Sequence, residues 1–317
     1  MAKYLVTGGC GFIGSHLCDA LIHQGHDVLV LDNLSTGKLE NLNPSAQLYV
    51  GDINDKMLTK MLMSQVVGCF HLAAIASVVR SNEAWGETHM TNQSGTINLF
   101  ETSAGLVKPV PVIYASSAAV YGDNAAMPLT ERSVVRPLTA YGVDKLACEL
   151  QAQVAGRIHK VPTLGFRFFN VFGPRQDPSS PYSGVISIFS NRVAQHQNIT
   201  IYGDGSQIRD FVYVQDVVRF LLLGMQQADI KAPVFNICTG KASSIKGLAQ
   251  TLFSILGYEV EIIYAAKKAG DIQHSLGDPS RLVQQFQSCA EYDLGQGLLE
   301  MLQSSHALSH HIYQQAV

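Results

Sequence analysis

The chain opens MAKYLVTGGCGFIG, where a short apolar strand pattern at Tyr4, Leu5 and Val6 runs into Gly8, Gly11 and Gly14, and an apolar helix pattern follows from Phe12 to Ile22. Few folds accept that order. Glycine lets the backbone turn tightly and approach a pyrophosphate, the last glycine lets helix pack on strand, and the helix N-terminus offers N–H groups to an anion. The spacing G-x-x-G-x-x-G is a variant of the commoner G-x-G-x-x-G loop. Glycine is abundant, with 27 residues, and trios of it also occur in ordinary turns, so context has to decide. A second strand pattern, Asp27 to Leu31, ends at Asp32 about 20 residues on, where a carboxylate can accept both ribose hydroxyls. The order strand, glycines, helix, strand, acid describes a dinucleotide pocket.

Alternation continues through the first half. Strands are predicted at Tyr4 to Thr7, Val28 to Asp32, Leu48 to Gly51, Gly68 to Leu72, Val110 to Ser116 and Thr163 to Phe169, with helical stretches between them. This predicts an α/β fold, a doubly wound parallel sheet covered on both faces, with ligands at the carboxyl ends of its strands. After Phe172 the chain changes to GPRQDPSSPYSG and shorter elements follow. A nucleotide-binding domain is therefore placed at 1–172, and a smaller, interleaved C-terminal α/β substrate domain at 173–209 and 241–303, with a tail at 304–317. The helix pattern Asp216 to Met225 and the strand pattern Val234 to Cys238 return residues 210–240 to the first domain.

A chain of 317 residues buries a large core. Its net charge of −3, with 15% charged residues, argues against nucleic acid as a partner, which needs clustered Lys and Arg. The first apolar segment is broken by glycines within ten residues, far short of a signal peptide's apolar region or a span of about 20 apolar residues. No membrane partner and a cytoplasmic location are expected. The six cysteines lack any C-x-x-C pair and read as reduced core thiols. His310 and His311 have no companion cluster, so no metal site is expected.

The catalytic candidates are Ser117, Tyr141 and Lys145. Tyr141 and Lys145 stand four apart in the helical stretch YGVDKLACELQAQVA, which puts both on one face. Lowering a tyrosine's pKa from near 10 toward 7 takes about 4 kcal/mol. An ammonium one turn away plus a cationic nicotinamide supplies attraction of that size in a partly dry site. Tyr264 and Lys268 share the spacing, but only the first pair follows a strand ending in serines, Val112 to Ser117, at the mouth of the sheet.

With these residues in hand the chain resembles the extended short-chain dehydrogenases/reductases of the nucleotide-sugar 4-epimerase group, from about Lys3 to Leu302. The resemblance rests on TGGCGFIG, DNLSTGK after Asp32, Gly51-Asp52-Ile53, His71-Leu72-Ala73-Ala74, Asn92 with GTINLFE, SSAAVYG, Tyr141 with Lys145, RFFNVFGPRQDP and YGDGSQIRDFVYVQDV. It implies a Rossmann domain and an NAD-dependent isomerase. NAD would be bound by Gly8, Gly11, Phe12, Ile13, Gly14, Asp32, Asn33, Asp52, Ile53, Leu72, Ala73, Ala74 and Asn92, with Tyr141 and Lys145. The substrate, a UDP-sugar, would be met by Ser77, Ser116, Ser117, Asn170, Gln176, Gly184, Arg209, Asp271 and Ser275. Arginine suits the diphosphate because its planar fork grips phosphate oxygens in pairs. A homodimer is also implied, with the helices after Asn92 and around Tyr141 packed across a two-fold axis.

Dehydratases and decarboxylases of this superfamily carry an acid close behind the serine, whereas this chain has Ala118 and Ala119. Epimerisation remains. Ser275 in GDIQHSLGDPS, together with Ser77, Gln176 and Gly184, resembles enzymes acting on UDP-N-acetylglucosamine, since a small residue leaves room for the N-acetyl group. Interconversion of UDP-GlcNAc and UDP-GalNAc is therefore expected. A UDP-glucose/UDP-galactose 4-epimerase comes next, then a UDP-uronate 4-epimerase. From other classes come a non-catalytic NAD-binding regulator, against which the retained Ser, Tyr and Lys speak, and an NADP-dependent reductase. Asp32 would repel a 2′-phosphate, though Lys38 weakens that objection. Two positions depart from the pattern: Lys268 stands where many relatives have Arg, and Phe286 to Cys289 replace a Gly-Trp pair.

Overall fold

A computed structural model describes residues 1–178, 184–267 and 272–304. In chain order the first elements are β1 (Lys3–Thr7), α1 (Phe12–His23), β2 (Asp27–Asp32), β3 (Gln47–Val50), α2 (Lys56–Met63), β4 (Gly68–His71), α3 (Val78–Glu83), α4 (Trp85–His89), α5 (Gly95–Ala104), β5 (Val112–Ser117), α6 (Ala140–His159) and β6 (Thr163–Phe168). There follow β7 (Asn170–Phe172), α7 (Val185–Ala194), β8 (Ile199–Tyr202), β9 (Ile208–Arg209), β10 (Phe211–Tyr213), α8 (Val214–Met225), β11 (Val234–Ile237), β12 (Ser243–Ser244), α9 (Ile245–Leu256), β13 (Ile262–Ala265), β14 (His274–Ser275), α10 (Ser280–Phe286) and α11 (Leu294–Ser304).

Seven strands form one sheet in the order β11-β6-β5-β4-β1-β2-β3. Every pairing in it is parallel. The doubly wound sheet read from the sequence is thus present, and the order reverses between β1 and β4, the kind of switch point where a crevice opens. Its central strands are mostly apolar because helices cover both faces; β4 and β6 are buried at every residue, His71 and Arg167 included. Leu5, Leu29, Leu31, Leu62, Leu99, Phe100, Val112 and Ala152 form the core between sheet and helices.

Local chemistry fixes the helix starts. Asp55 accepts the N–H groups of Met57 and Leu58 ahead of α2, and Thr139 accepts that of Gly142 ahead of α6. No side chain caps α1, which begins at the glycine loop.

The chain divides into two compact units. The first comprises Met1–Gly122, Ser133–Phe168 and Val217–Ile237; the second holds Asp123–Arg132 and the described residues of Phe169–Asp216 and of the chain from Cys238 onward. The 1–172 boundary expected from the sequence puts Asp123–Arg132 inside the first domain. The segment belongs to the second because Leu129 exchanges backbone hydrogen bonds with the 276–278 loop, its N–H to Leu276 O at 2.8 Å and its carbonyl to Asp278 N at 2.9 Å. Within the second unit β7 pairs β10, β8 pairs β13, and β9 lies between β12 and β14. Among the described residues no helix is long and apolar enough to cross a membrane.

Candidate active site

At the carboxyl end of β1 the chain turns through Gly8, whose φ of +72° suits glycine and whose N–H donates to Leu31 O at 2.9 Å. A Cβ on Gly8 would lie 2.8 Å from the Ala73 backbone nitrogen, and one on Gly14 would strike the Gly8 carbonyl. Phe12, Ile13 and Gly14 form the first turn of the uncapped helix α1. Asp32 ends β2, buried, with Oδ2 accepting Cys10 N–H at 2.9 Å and Oδ1 accepting Leu34 N–H at 2.8 Å. The strand end and the loop are thereby joined. Asn33 follows, accepting Ser35 N–H; Asp52 after β3 accepts from Asn54, and Ile53 beside it is buried. Leu72, Ala73 and Ala74 follow β4, and Asn92 holds Ile75 by both its N–H and its carbonyl. A cradle that any Cβ would fill, a free helix N-terminus and an acid at the neighbouring strand end fit a dinucleotide. Lys38 lies 3.9 Å from Glu40.

The three catalytic candidates all belong to the first unit. Helix α6 runs for 20 residues and carries Tyr141, Lys145 and Glu149 on successive turns. Lys145 is only 3% exposed; its ammonium donates to Ala115 O at 2.8 Å and stands 5.8 Å from the centroid of the Tyr141 ring. Ser117, the last residue of β5, accepts Ala119 N–H at 3.1 Å and starts the turn Ala118–Tyr121. Tyr141 N–H donates to Ser81 Oγ at 3.2 Å, which ties α6 to α3. Ser77, expected to meet substrate, caps α3 by accepting Arg80 N–H.

Ser116 takes a different place from the one the resemblance gives it. It is 1% exposed, and its hydroxyl donates to Glu149 at 2.5 Å. Neighbours on a strand point to opposite faces, so Ser116 cannot share the outlook of Ser117. Glu149 also receives Arg167 Nε at 2.8 Å and Nη2 at 2.6 Å. Arg167 Nη1 donates to the Tyr121 hydroxyl at 2.9 Å, which donates to Asn236 Oδ1 at 2.6 Å. Burial alone would pull the Arg167 guanidinium down, but Glu149 overrides it and holds the pKa above its ordinary value. Sequence reasoning passed over this network. Its signal was one arginine in the otherwise apolar strand TLGFRF.

His71, the last residue of β4, is fully enclosed, and burial first and the Lys145 ammonium second push its pKa down to about 3. The unfolded chain therefore binds a proton that the native state refuses between pH 6.5 and about 3. Stability from this group is complete above pH 6.5 and falls by about 1.4 kcal/mol per unit as pH drops through that window. Urea unfolding at pH 7 and pH 5 is expected to show a larger loss for the wild type than for His71→Asn, which has no such proton to gain.

In the second unit Ser275 on β14 stands opposite Arg209 on β9, and Ser243 flanks Arg209 from β12. The Arg209 guanidinium donates to Ile208 O at 2.9 Å. Gln176 adjoins Gly184, where a Cβ would lie 3.2 Å from Nε2, and Asn170 opens β7, exposed. Asp271 and Lys268 lie outside the described residues. Asp210, not foreseen, is wholly buried; it accepts Thr239 N–H and Oγ1–H at 2.8 and 2.7 Å, Gly240 N–H at 2.9 Å and Gly277 N–H at 3.3 Å. These bonds pin the loops that adjoin Arg209 and Ser275.

Residues 4–238 match the family described as NAD dependent epimerase/dehydratase. A UDP-glucose 4-epimerase of Mycolicibacterium smegmatis is 35% identical over 88% of this chain and 90% of its own. The crystal structure of a UDP-glucose 4-epimerase from Thermotoga maritima with UDP-glucose superposes with a TM-score of 0.91 at 35% identity, covering 99% of this chain and 100% of that one. The UDP-N-acetylglucosamine 4-epimerase of Methanobrevibacter ruminantium, in complex with UDP-N-acetylmuramic acid, gives 0.90 at 35% identity over 95% and 97% of the two chains.

Proposed function

Because this chain belongs to the NAD dependent epimerase/dehydratase family, we propose that it is a nucleotide-sugar 4-epimerase that interconverts UDP-GlcNAc and UDP-GalNAc. It is an NAD-dependent enzyme. The observation that carries the proposal is the set of Ser117 at the end of β5 with Tyr141 and the enclosed Lys145 on α6, followed by Ala118 and Ala119 in place of an acid. Gly8, Gly11, Phe12, Ile13 and Gly14 would hold the cofactor's pyrophosphate, Asp32 and Asn33 a ribose, and Asp52 and Ile53 the adenine. Leu72 to Ala74, Asn92, Tyr141 and Lys145 would line the rest. When bound, NAD supplies reversible hydride exchange at a sugar carbon.

The chain's own part is proton handling and positioning. Tyr141 takes the proton from the hydroxyl on carbon 4 and gives it back once the sugar has presented its other face. Lys145, fixed by Ala115 O, holds its ammonium over the Tyr141 ring. Ser117 holds the sugar hydroxyl. Proton and hydride both return, so the net redox change is zero and no external reductant enters. Asn170, Gln176, Gly184, Arg209, Asp271 and Ser275 would receive the nucleotide and the sugar.

The small side chain of Ser275 favours the N-acetylated sugar. A pocket made for it still admits plain hexose, since an unfilled methyl-sized space costs about 1 to 3 kcal/mol. UDP-glucose is the second reading, favoured by the Mycolicibacterium and Thermotoga relatives. We also propose a cytoplasmic homodimer joined along α6, where Val143, Leu150, Val154 and Ile158 are exposed at helical spacing. The assay is competition: equal UDP-GlcNAc and UDP-glucose with no added reductant. Higher kcat/KM for UDP-GlcNAc is expected, and conversion of UDP-glucose alone would move the enzyme to the second reading.

A further inference from the structure

The buried hydrogen bonds around His71 run in one direction. Thr7 Oγ1 accepts Ala73 N–H at 3.2 Å and lies 2.8 Å from His71 Nδ1. Thr7 is fully buried, so its own hydroxyl proton has His71 Nδ1 as its acceptor. A neutral imidazole with Nδ1 bare carries its proton on Nε2, and Nε2 lies 2.9 Å from Thr96 Oγ1. Thr96 in turn sends its hydroxyl proton to the Asn92 carbonyl at 2.6 Å. Asn92 then grips Ile75, accepting its N–H at 2.8 Å and donating to its carbonyl at 3.1 Å. Every donor in the series has an acceptor. Reversing the ring would strand the Thr7 proton in the interior.

The segment from Ala73 to Ile75 is thus held at both ends, and the His71 ring joins the two holds. At one end it abuts Gly8, where even a Cβ would come within 2.8 Å of Ala73 N. At the other it is tied to a π turn at Met90–Ser94, a local widening of the helix common at functional sites. We infer that His71 is a positioning residue, fixed as the neutral Nε2–H tautomer, which sets the wall opposite the glycine loop and so the fit of the dinucleotide. Burial and the Lys145 ammonium support this by keeping the ring uncharged. The inference rests on the glycine loop as the NAD site and is independent of which sugar is epimerised.

Two readouts test it, neither of which is turnover. Nitrogen NMR of histidine-labelled holoenzyme at pH 7, with the His71 signals assigned through His71→Asn, is expected to show a bare Nδ1 and a protonated Nε2 that persist to pH 5. Release of NAD, followed by chase with a fluorescent NAD analogue, is expected to be on the order of tenfold faster in Thr7→Val and in Thr96→Val, as a buried group loses its partner. Thr7→Ser and Thr96→Ser keep the hydroxyl and should release NAD at the wild-type rate. A protonated Nδ1, a charged ring at pH 7, or valine variants with the wild-type release rate would overturn the inference. If the valine variants do not fold, the tautomer and the serine variants decide it. A protein that shows the expected tautomer and release rates but epimerises no UDP-sugar would contradict the proposed function and leave this inference standing.

Discussion

Tyr141→Phe removes one oxygen and is expected to lower kcat by roughly 10²- to 10⁴-fold, the scale of a lost general acid–base group. KM should change little, because the sugar keeps its other contacts. The substitution leaves the anchors of α6 intact: Tyr141 binds Ser81 through its backbone N–H, and Lys145 binds Ala115 O. Thermal unfolding and NAD content should therefore match the wild type. Turnover that survives would place the base elsewhere.

Arg167→Met is expected to give the largest loss of stability. Glu149 and Arg167 are 3% and 6% exposed, and the substitution leaves a carboxylate buried without its cation. Breaking a buried pair from one side costs about 3–5 kcal/mol, whereas replacing both partners with apolar groups is often close to neutral. Arg167→Met with Glu149→Leu should therefore recover most of the loss, and urea unfolding midpoints for the two singles and the double measure it. Equal destabilisation in the double and in Arg167→Met would mean that packing, rather than the stranded charge, dominates.

What the sequence reveals of this site follows from how local each feature is. The glycine loop and Asp32 are legible because strand, turn, helix and acid occupy one βαβ unit, and the geometry that needs glycine is set within it. Tyr141 and Lys145 are half legible. Their spacing recurs at Tyr264 and Lys268, and only the end of β5 distinguishes the pair that faces the sheet's mouth. Strand alternation would have separated Ser116 from Ser117, yet the run SSAAVYG invites treating both as one patch. The Glu149–Arg167 pair spans two elements, and the Thr7–His71 bond joins residues 64 apart. Such contacts come from the order of strands in the sheet, which periodicity does not encode. The placement of Asp123–Arg132 turns on two backbone bonds to the 276–278 loop, again invisible to composition.

The most direct test of the account uses UDP-GlcNAc carrying deuterium at carbon 4, incubated with purified enzyme in ordinary water without added reductant and followed by NMR. The expected product gives the galacto anomeric signal with deuterium still on carbon 4, because the hydrogen that leaves that carbon returns to it. Product with solvent hydrogen at carbon 4, or no product from either this sugar or the UDP-glucose analogue while NAD is bound, would contradict it.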